Sequence, residues 1–87
     1  MANIKSAMKR AQVGQVRAKR NAAYKSRMRT AIRRFDDTLK AEDFPAAKGE
    51  LKNASRMIDK VKAKGVIHRN TANRKKSRLA KALNRVS

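Results

Sequence analysis

Apolar residues recur along this chain at helical spacing and nowhere at strand spacing. Tyr24, Met28, Ile32, Phe35 and Leu39 step by 4, 4, 3 and 4, which lays them along one stripe of an α-helix. Upstream the same period is carried weakly by Ile4, Met8, Ala11, Ala18 and Ala22, mostly alanines with little area to bury. The spacing therefore predicts a first helix over about 3–41, its second half packed and its first half projecting. Asn3 is a fair N-cap, and the helix should fray near Leu39 to Ala41. A second stripe, Ala47, Leu51, Ala54, Ile58 and Val61, alternates steps of 4 and 3 with Met57 on its flank. It predicts a helix over about 44–64, with Asp43 as N-cap, Pro45 in the first turn where no donor is lost, and Gly65 as the stop. A third helix is expected over about 68–85, with Leu79, Leu83 and Val86 facing inward and Ala72 and Ala82 filling space. Connections as short as those near Glu42–Asp43 and Gly65–Val66 make successive helices antiparallel neighbours. The predicted fold class is all-α: one helical domain over 1–87, a three-helix bundle with an extended N-terminal first helix.

Charge changes this picture. Of 87 residues, 25 are Lys or Arg and 6 are Asp or Glu, for a net charge of +19. Residues 1–35 hold 11 basic residues and no acid, and residues 60–87 hold 10 basic residues and no acid. All six acids, Asp36, Asp37, Glu42, Asp43, Glu50 and Asp59, lie between. Leu, Ile, Val and Phe together number only 15, a balance at which chains tend to need a partner in order to fold. A marginal fold follows, with helix 1 of the free chain ordered only from about Tyr24 onward. So much positive charge calls for nucleic acid or an anionic membrane as partner. No apolar run approaches the ~18 residues of a membrane span, and no apolar stretch follows the basic start as in a signal peptide. Without cysteine there is no disulfide framework and no thiolate metal site, which fits the cytoplasm.

Catalytic chemistry has few side chains to draw on. His68 is the single histidine and cannot form a metal cluster alone. Asp36 and Asp37 are adjacent, so on a helix they diverge by about 100° rather than converge in a cleft. The three glycines are isolated and build no phosphate loop. Neither an enzyme nor a cofactor nor a metal is expected.

The cationic residues mark the binding surface instead: Lys5, Lys9, Arg10, Arg17, Arg20, Lys25, Arg29 and Arg33 on helix 1, and Arg69, Arg74, Lys75, Lys76 and Arg78 on helix 3. Like-charge pairs at i,i+4, such as Lys5/Lys9 and Lys25/Arg29, each cost a bare helix roughly 0.2–0.5 kcal/mol, a penalty that phosphate would remove. Lys48, Lys52, Arg56, Lys60 and Lys64 recur every fourth residue on helix 2, either as a solvated face or as a ridge tracking a nucleic-acid backbone. Gly14 is either a tolerated solvent-facing glycine or a point of bending or close approach. With only Tyr24, Phe35 and Phe44 as aromatics, stacking platforms for single-stranded bases are not available. Readers of the DNA major groove concentrate contacts on one face, whereas a rod charged all round suits the inside of a folded RNA. A nucleoid-type DNA-compacting protein is the alternative. A membrane-surface helix is a weaker one, since basic residues surround helix 1 and bulky apolar residues are scarce there.

Met1-Ala-Asn-Ile-Lys-Ser-Ala7 with Lys9-Arg10, then Asn21, Ser26, Met28-Arg29-Thr30 and Ile32, resemble the bacterial small-subunit ribosomal protein S-twenty family. So does Ala63-Lys64-Gly65, Ile67-His68, Asn70, Ala72, Arg74 and Lys76-Ser77-Arg78-Leu79. The resemblance spans nearly the whole chain and is weakest between Asp36 and Lys60. It implies a three-helix bundle with an extended first helix that binds 16S ribosomal RNA in the small subunit, helps that RNA fold and has no catalytic activity. It further implies RNA-facing roles for Lys5, Lys9, Arg10, Asn21, Ser26, Arg29 and Thr30, and for His68, Asn70, Arg74, Lys76 and Arg78. Few or no direct protein neighbours are expected.

Overall fold

A computed structural model describes the backbone of residues 2–86 and the side chains of residues 7–86. Among the described residues there are three α-helices and no strand: α1 (Ala2–Lys40), α2 (Phe44–Ala63) and α3 (Arg69–Val86). α1 alone has 39 residues, about 58 Å at ~1.5 Å per residue, and it sets the long axis of a molecule measuring 64 × 21 × 14 Å. The radius of gyration is 17.6 Å, where a compact chain of this length would have about 12 Å. The projecting part of α1 makes that difference.

The core is small. Met28 and Phe35 from α1, Ala47, Ala54, Ile58 and Val61 from α2, and Ala72, Leu79 and Leu83 from α3 are buried, and of these only Phe35, Ile58 and Val61 are large side chains with no exposure. Tyr24, Ile32, Leu39, Leu51 and Met57 pack around them half-buried. α2 lies in the middle: α1 and α3 both pack against it and barely meet each other. Val86, expected to face inward, is instead 52% exposed, at the last residue of α3, where one further turn of helix that would cover it is absent from the described residues.

Both helix junctions are closed by backbone hydrogen bonds. After α1, Glu42 N–H donates to Leu39 O and Asp43 N–H to Thr38 O, at 3.1 Å each, with Glu42 in the left-handed region at φ 59°. This is a Schellman closure, and it replaces the frayed end expected from the sequence. Asp43 then serves the next helix, its Oδ1 accepting from Ala46 N–H at 3.3 Å as the N-cap of α2. After α2 the same pattern recurs with Gly65 at φ 76°, where Gly65 N–H donates to Lys62 O at 2.9 Å and Val66 N–H to Val61 O at 3.2 Å. A tight turn at each junction allows α2 to reverse against α1 and α3 to reverse against α2.

Candidate nucleic-acid interface

The core stripe of α1 does not stop at Tyr24 for lack of helix. It stops where α2, with its 20 residues, reaches no further back along α1. At ~100° per residue, Arg17 and Arg10 lie almost directly in line with Met28 and Phe35, so the continuation of the stripe is basic and the helix runs on into solvent. Every residue from 7 to 20 is exposed. At ~100° per residue, Lys9, Arg10, Arg17, Lys19 and Arg20 spread over about half the circumference of this arm, with no acid among them. Met8, Val13 and Val16, at 62%, 45% and 67% exposure, are its bare large apolar positions. Lys5, also a candidate, lies among residues whose side chains are outside those described.

Nearer the bundle, Lys25, Ser26, Arg29, Thr30 and Arg33 are all exposed. Lys25, Arg29 and Arg33 follow one another at intervals of four along one flank of α1. The Thr30 hydroxyl donates to Ser26 O at 3.0 Å, so its hydrogen is already committed to the helix backbone. Asn21 is half-buried where the arm leaves the bundle, and its Oδ1 is buried with no hydrogen-bond partner.

α2 has 20 residues and runs antiparallel to the last turns of α1. Counting back the same length from Lys40 places the α2–α3 turn beside Asn21 to Tyr24, and Tyr24, Val66 and Ile67 pack against the same core. The two cationic stretches of the sequence therefore meet at this neck. His68, Arg69 and Asn70 sit there, exposed, at the start of α3. His68 Nδ1 accepts from Asn70 N–H at 3.1 Å, capping the helix and leaving Nε2 as the nitrogen available to a ligand. Arg74 and Arg78 are exposed one and two turns on, while Lys75 and Lys76 flank the core stripe and are half-buried.

Lys76 is engaged within the protein. Its Nζ donates to Asp59 Oδ1 of α2 at 2.8 Å, and Lys62 Nζ lies 3.6 Å from the same oxygen. The Lys76 hydrogen bond, reinforced by the charges of Lys76 and Lys62, holds the Asp59 carboxyl below the usual carboxylate range. The bridge across the bundle was not specified by the sequence, which left Asp59 equally able to pair within its own helix.

The acids sit elsewhere. Asp36, Asp37, Glu42 and Asp43 are exposed around the α1–α2 turn, at the opposite end of the bundle from the neck. The molecule is thus polarised along its length, with an acidic tip, a basic neck and a basic arm. Among the described residues no group of His, Cys, Asp or Glu could hold a metal ion, and no helix is long and apolar enough to cross a membrane.

The chain is similar to known proteins along nearly its whole length. The family profile described as Ribosomal protein S20 matches residues 2–84. The small ribosomal subunit protein bS20 of Pelotomaculum thermopropionicum is 49% identical over 87 residues, covering 100% of this chain and 99% of the relative. That of Desulfitobacterium hafniense is 53% identical over 81 residues, covering 93% and 89%. That of Geobacillus kaustophilus is 49% identical over 86 residues, covering 99% and 97%. The chain belongs to the ribosomal protein S20 family, whose members are structural components of the ribosome and not enzymes.

Proposed function

We propose that this chain binds 16S ribosomal RNA in the small ribosomal subunit and stabilises its fold through contacts to phosphate and to helix shape. The arm carries the reading: from residue 7 to residue 20 every side chain is exposed and none is acidic. A helix ~10–12 Å across fits between RNA helices, and its cations, spread over about half its circumference, can reach phosphates on more than one side. RNA helices brought close repel one another, and a fixed cationic rod replaces their diffuse counterions, whose release favours binding. Lys5, Lys9, Arg10, Arg17 and Arg20 act along the arm. Asn21, Lys25, Ser26, Arg29, Thr30 and Arg33 continue the surface onto the bundle. His68, Arg69, Asn70, Arg74, Lys75, Lys76 and Arg78 complete it at the neck and along α3.

Competition between a 16S ribosomal RNA fragment and duplex DNA at equal salt tests this reading. The RNA should win. If about 6–10 phosphates are neutralised, affinity should also fall roughly 10³–10⁵-fold between 50 and 200 mM salt, taking the duplex DNA slope as guide. Equal affinity for the DNA would transfer the protein to the DNA-compacting class, and a nearly salt-independent affinity would remove the electrostatic mechanism.

A further inference from the structure

One concave surface is left unused by the arm and the neck. A groove of about 500 Å³ runs between α1 and α2, with Arg27 and Arg34 on one rim and Arg56 and Lys60 on the other. Ala31 and Met57, both half-buried, form its floor. Helical geometry explains why cations gather here. Arg27 and Arg34 are seven residues apart, two turns on one flank of α1. The row Lys48, Lys52, Arg56, Lys60 is not a straight face, because residues four apart advance about 40° around the helix at each step. The row winds, and only its later members reach the groove; Lys48 and Lys52 do not line it.

Three of the four rim cations have no compensation. Arg34, Arg56 and Lys60 have neither an ion pair nor a hydrogen-bond partner among the described residues. The guanidinium of Arg27 lies 5.8 Å from the centroid of the Tyr24 ring, a contact that leaves its charge in place. Glu50 is the one acid lining the groove, so four positive charges face one negative charge. Like charges held across a cleft repel, and an anion between them reverses the sign of that interaction. The groove is also remote from α3. Met57 on its floor and Asp59, which bonds Lys76 of α3, are two residues apart on α2 and so point to nearly opposite sides, about 200° apart.

We propose that this groove, which shares Ser26 and Thr30 with the surface of α1 described above, is a distinct RNA seat that takes one phosphodiester strand lengthwise with its phosphates between the two rims and its sugar edges against the Ala31–Met57 floor. The proposal rests on the ribosomal RNA reading above and adds α2 to the binding surface, on a side that neither the arm nor α3 occupies. The test compares two double variants of the full chain with equal charge loss. R34Q/R56Q strips both rims, and K48Q/K52Q removes two exposed lysines of α2 outside the groove. Both are assayed by filter binding to a 16S ribosomal RNA fragment across a salt series and by backbone-cleavage footprinting. All four side chains are exposed, so both variants should keep the parent helicity by circular dichroism.

R34Q/R56Q should lower the log–log salt slope by roughly 1.5–2, which amounts to about 30- to 100-fold weaker binding at 0.1 M salt, while K48Q/K52Q loses less than about threefold. One protected RNA segment should disappear with the rim variant alone. R27Q/K60Q, which uses the other two rim positions, should reproduce the loss and guards against a folding defect in the first variant. If both rim variants match K48Q/K52Q in affinity and footprint while the parent still prefers ribosomal RNA, the groove is not a seat and the broader function stands. If the parent shows no such preference, both readings fall together.

Discussion

Removing residues 1–20 should separate binding from folding. The truncated chain would begin at Asn21, a residue type that caps helix N-termini well. Residues 7–20 contribute no buried side chain, and every member of the apolar cluster lies at or beyond Tyr24. What the bundle loses is the end of a solvent-exposed helix, so stability in urea should change by less than about 1 kcal/mol, within the range of surface perturbations. Binding should respond far more. The deleted segment carries Lys5, Lys9, Arg10, Arg17, Lys19 and Arg20, six cations. If each neutralises one phosphate, the log–log salt slope falls by roughly 4–5. Across a fourfold change from 50 to 200 mM salt, the full chain should then lose about 250 to 1,000 times more affinity than the truncated chain. The assay is filter binding of both chains to one 16S ribosomal RNA fragment, beside urea unfolding followed by circular dichroism. Amide exchange on the free full-length chain should draw the same line, with weak protection through Arg20 and strong protection from Leu51 to Val61. A truncated chain that loses more than about 2 kcal/mol, or that keeps the parent salt slope, would refute the division into arm and bundle.

Two further outcomes follow from the core and the cross-bundle ion pair. Phe35→Ala empties one of only three large, fully buried positions and should cost about 3–5 kcal/mol, enough to unfold much of the free protein in thermal melts. Saturating ribosomal RNA should restore its helicity, because a ligand bound only by the folded state stabilises it by mass action. Asp59→Asn removes the acceptor shared by Lys76 and Lys62 and, for an exposed pair, should cost less than about 1 kcal/mol near neutral pH. Since the folded-state pKa of Asp59 is lowered, its contribution is present above the ordinary carboxylate range and is lost as pH falls through the folded value. The gap between parent and variant should therefore begin to shrink near the ordinary aspartate value of about 3.9 and close only at more acidic pH, below the lowered folded value, and a gap that persisted in strong acid would assign the effect to something other than this charge.

The stripes on α1 and α2 were legible because apolar spacing alone fixes which face packs. The division of α1 at Tyr24 was legible for the same reason, since Asn21, Arg17, Gly14 and Arg10 take over the stripe. Other features were hidden by physics that acts across elements. The closure after α1 uses Glu42 at φ 59°, a conformation usually marked by glycine, so nothing at that position announced it. The Asp59–Lys76 bridge joins residues 17 apart, and either partner could have faced solvent. Arg27, Arg34, Arg56 and Lys60 read as ordinary surface charge until the relative rotation of two helices turns them towards one another. Relating the winding of the lysine row on α2 to the stripe beside it was the one signal that could have placed Arg56 and Lys60 apart from Lys48 and Lys52.

The middle position of α2 has a kinetic consequence. Nearly every tertiary contact links helices that follow one another along the chain, and α1 hardly touches α3. Such topologies close short loops only and fold in microseconds to milliseconds. The α1–α2 hairpin can form while α3 is still being synthesised, and α3 then adds to a surface already in place. A polypeptide with this wiring can begin to assume its shape without waiting for its own last residues.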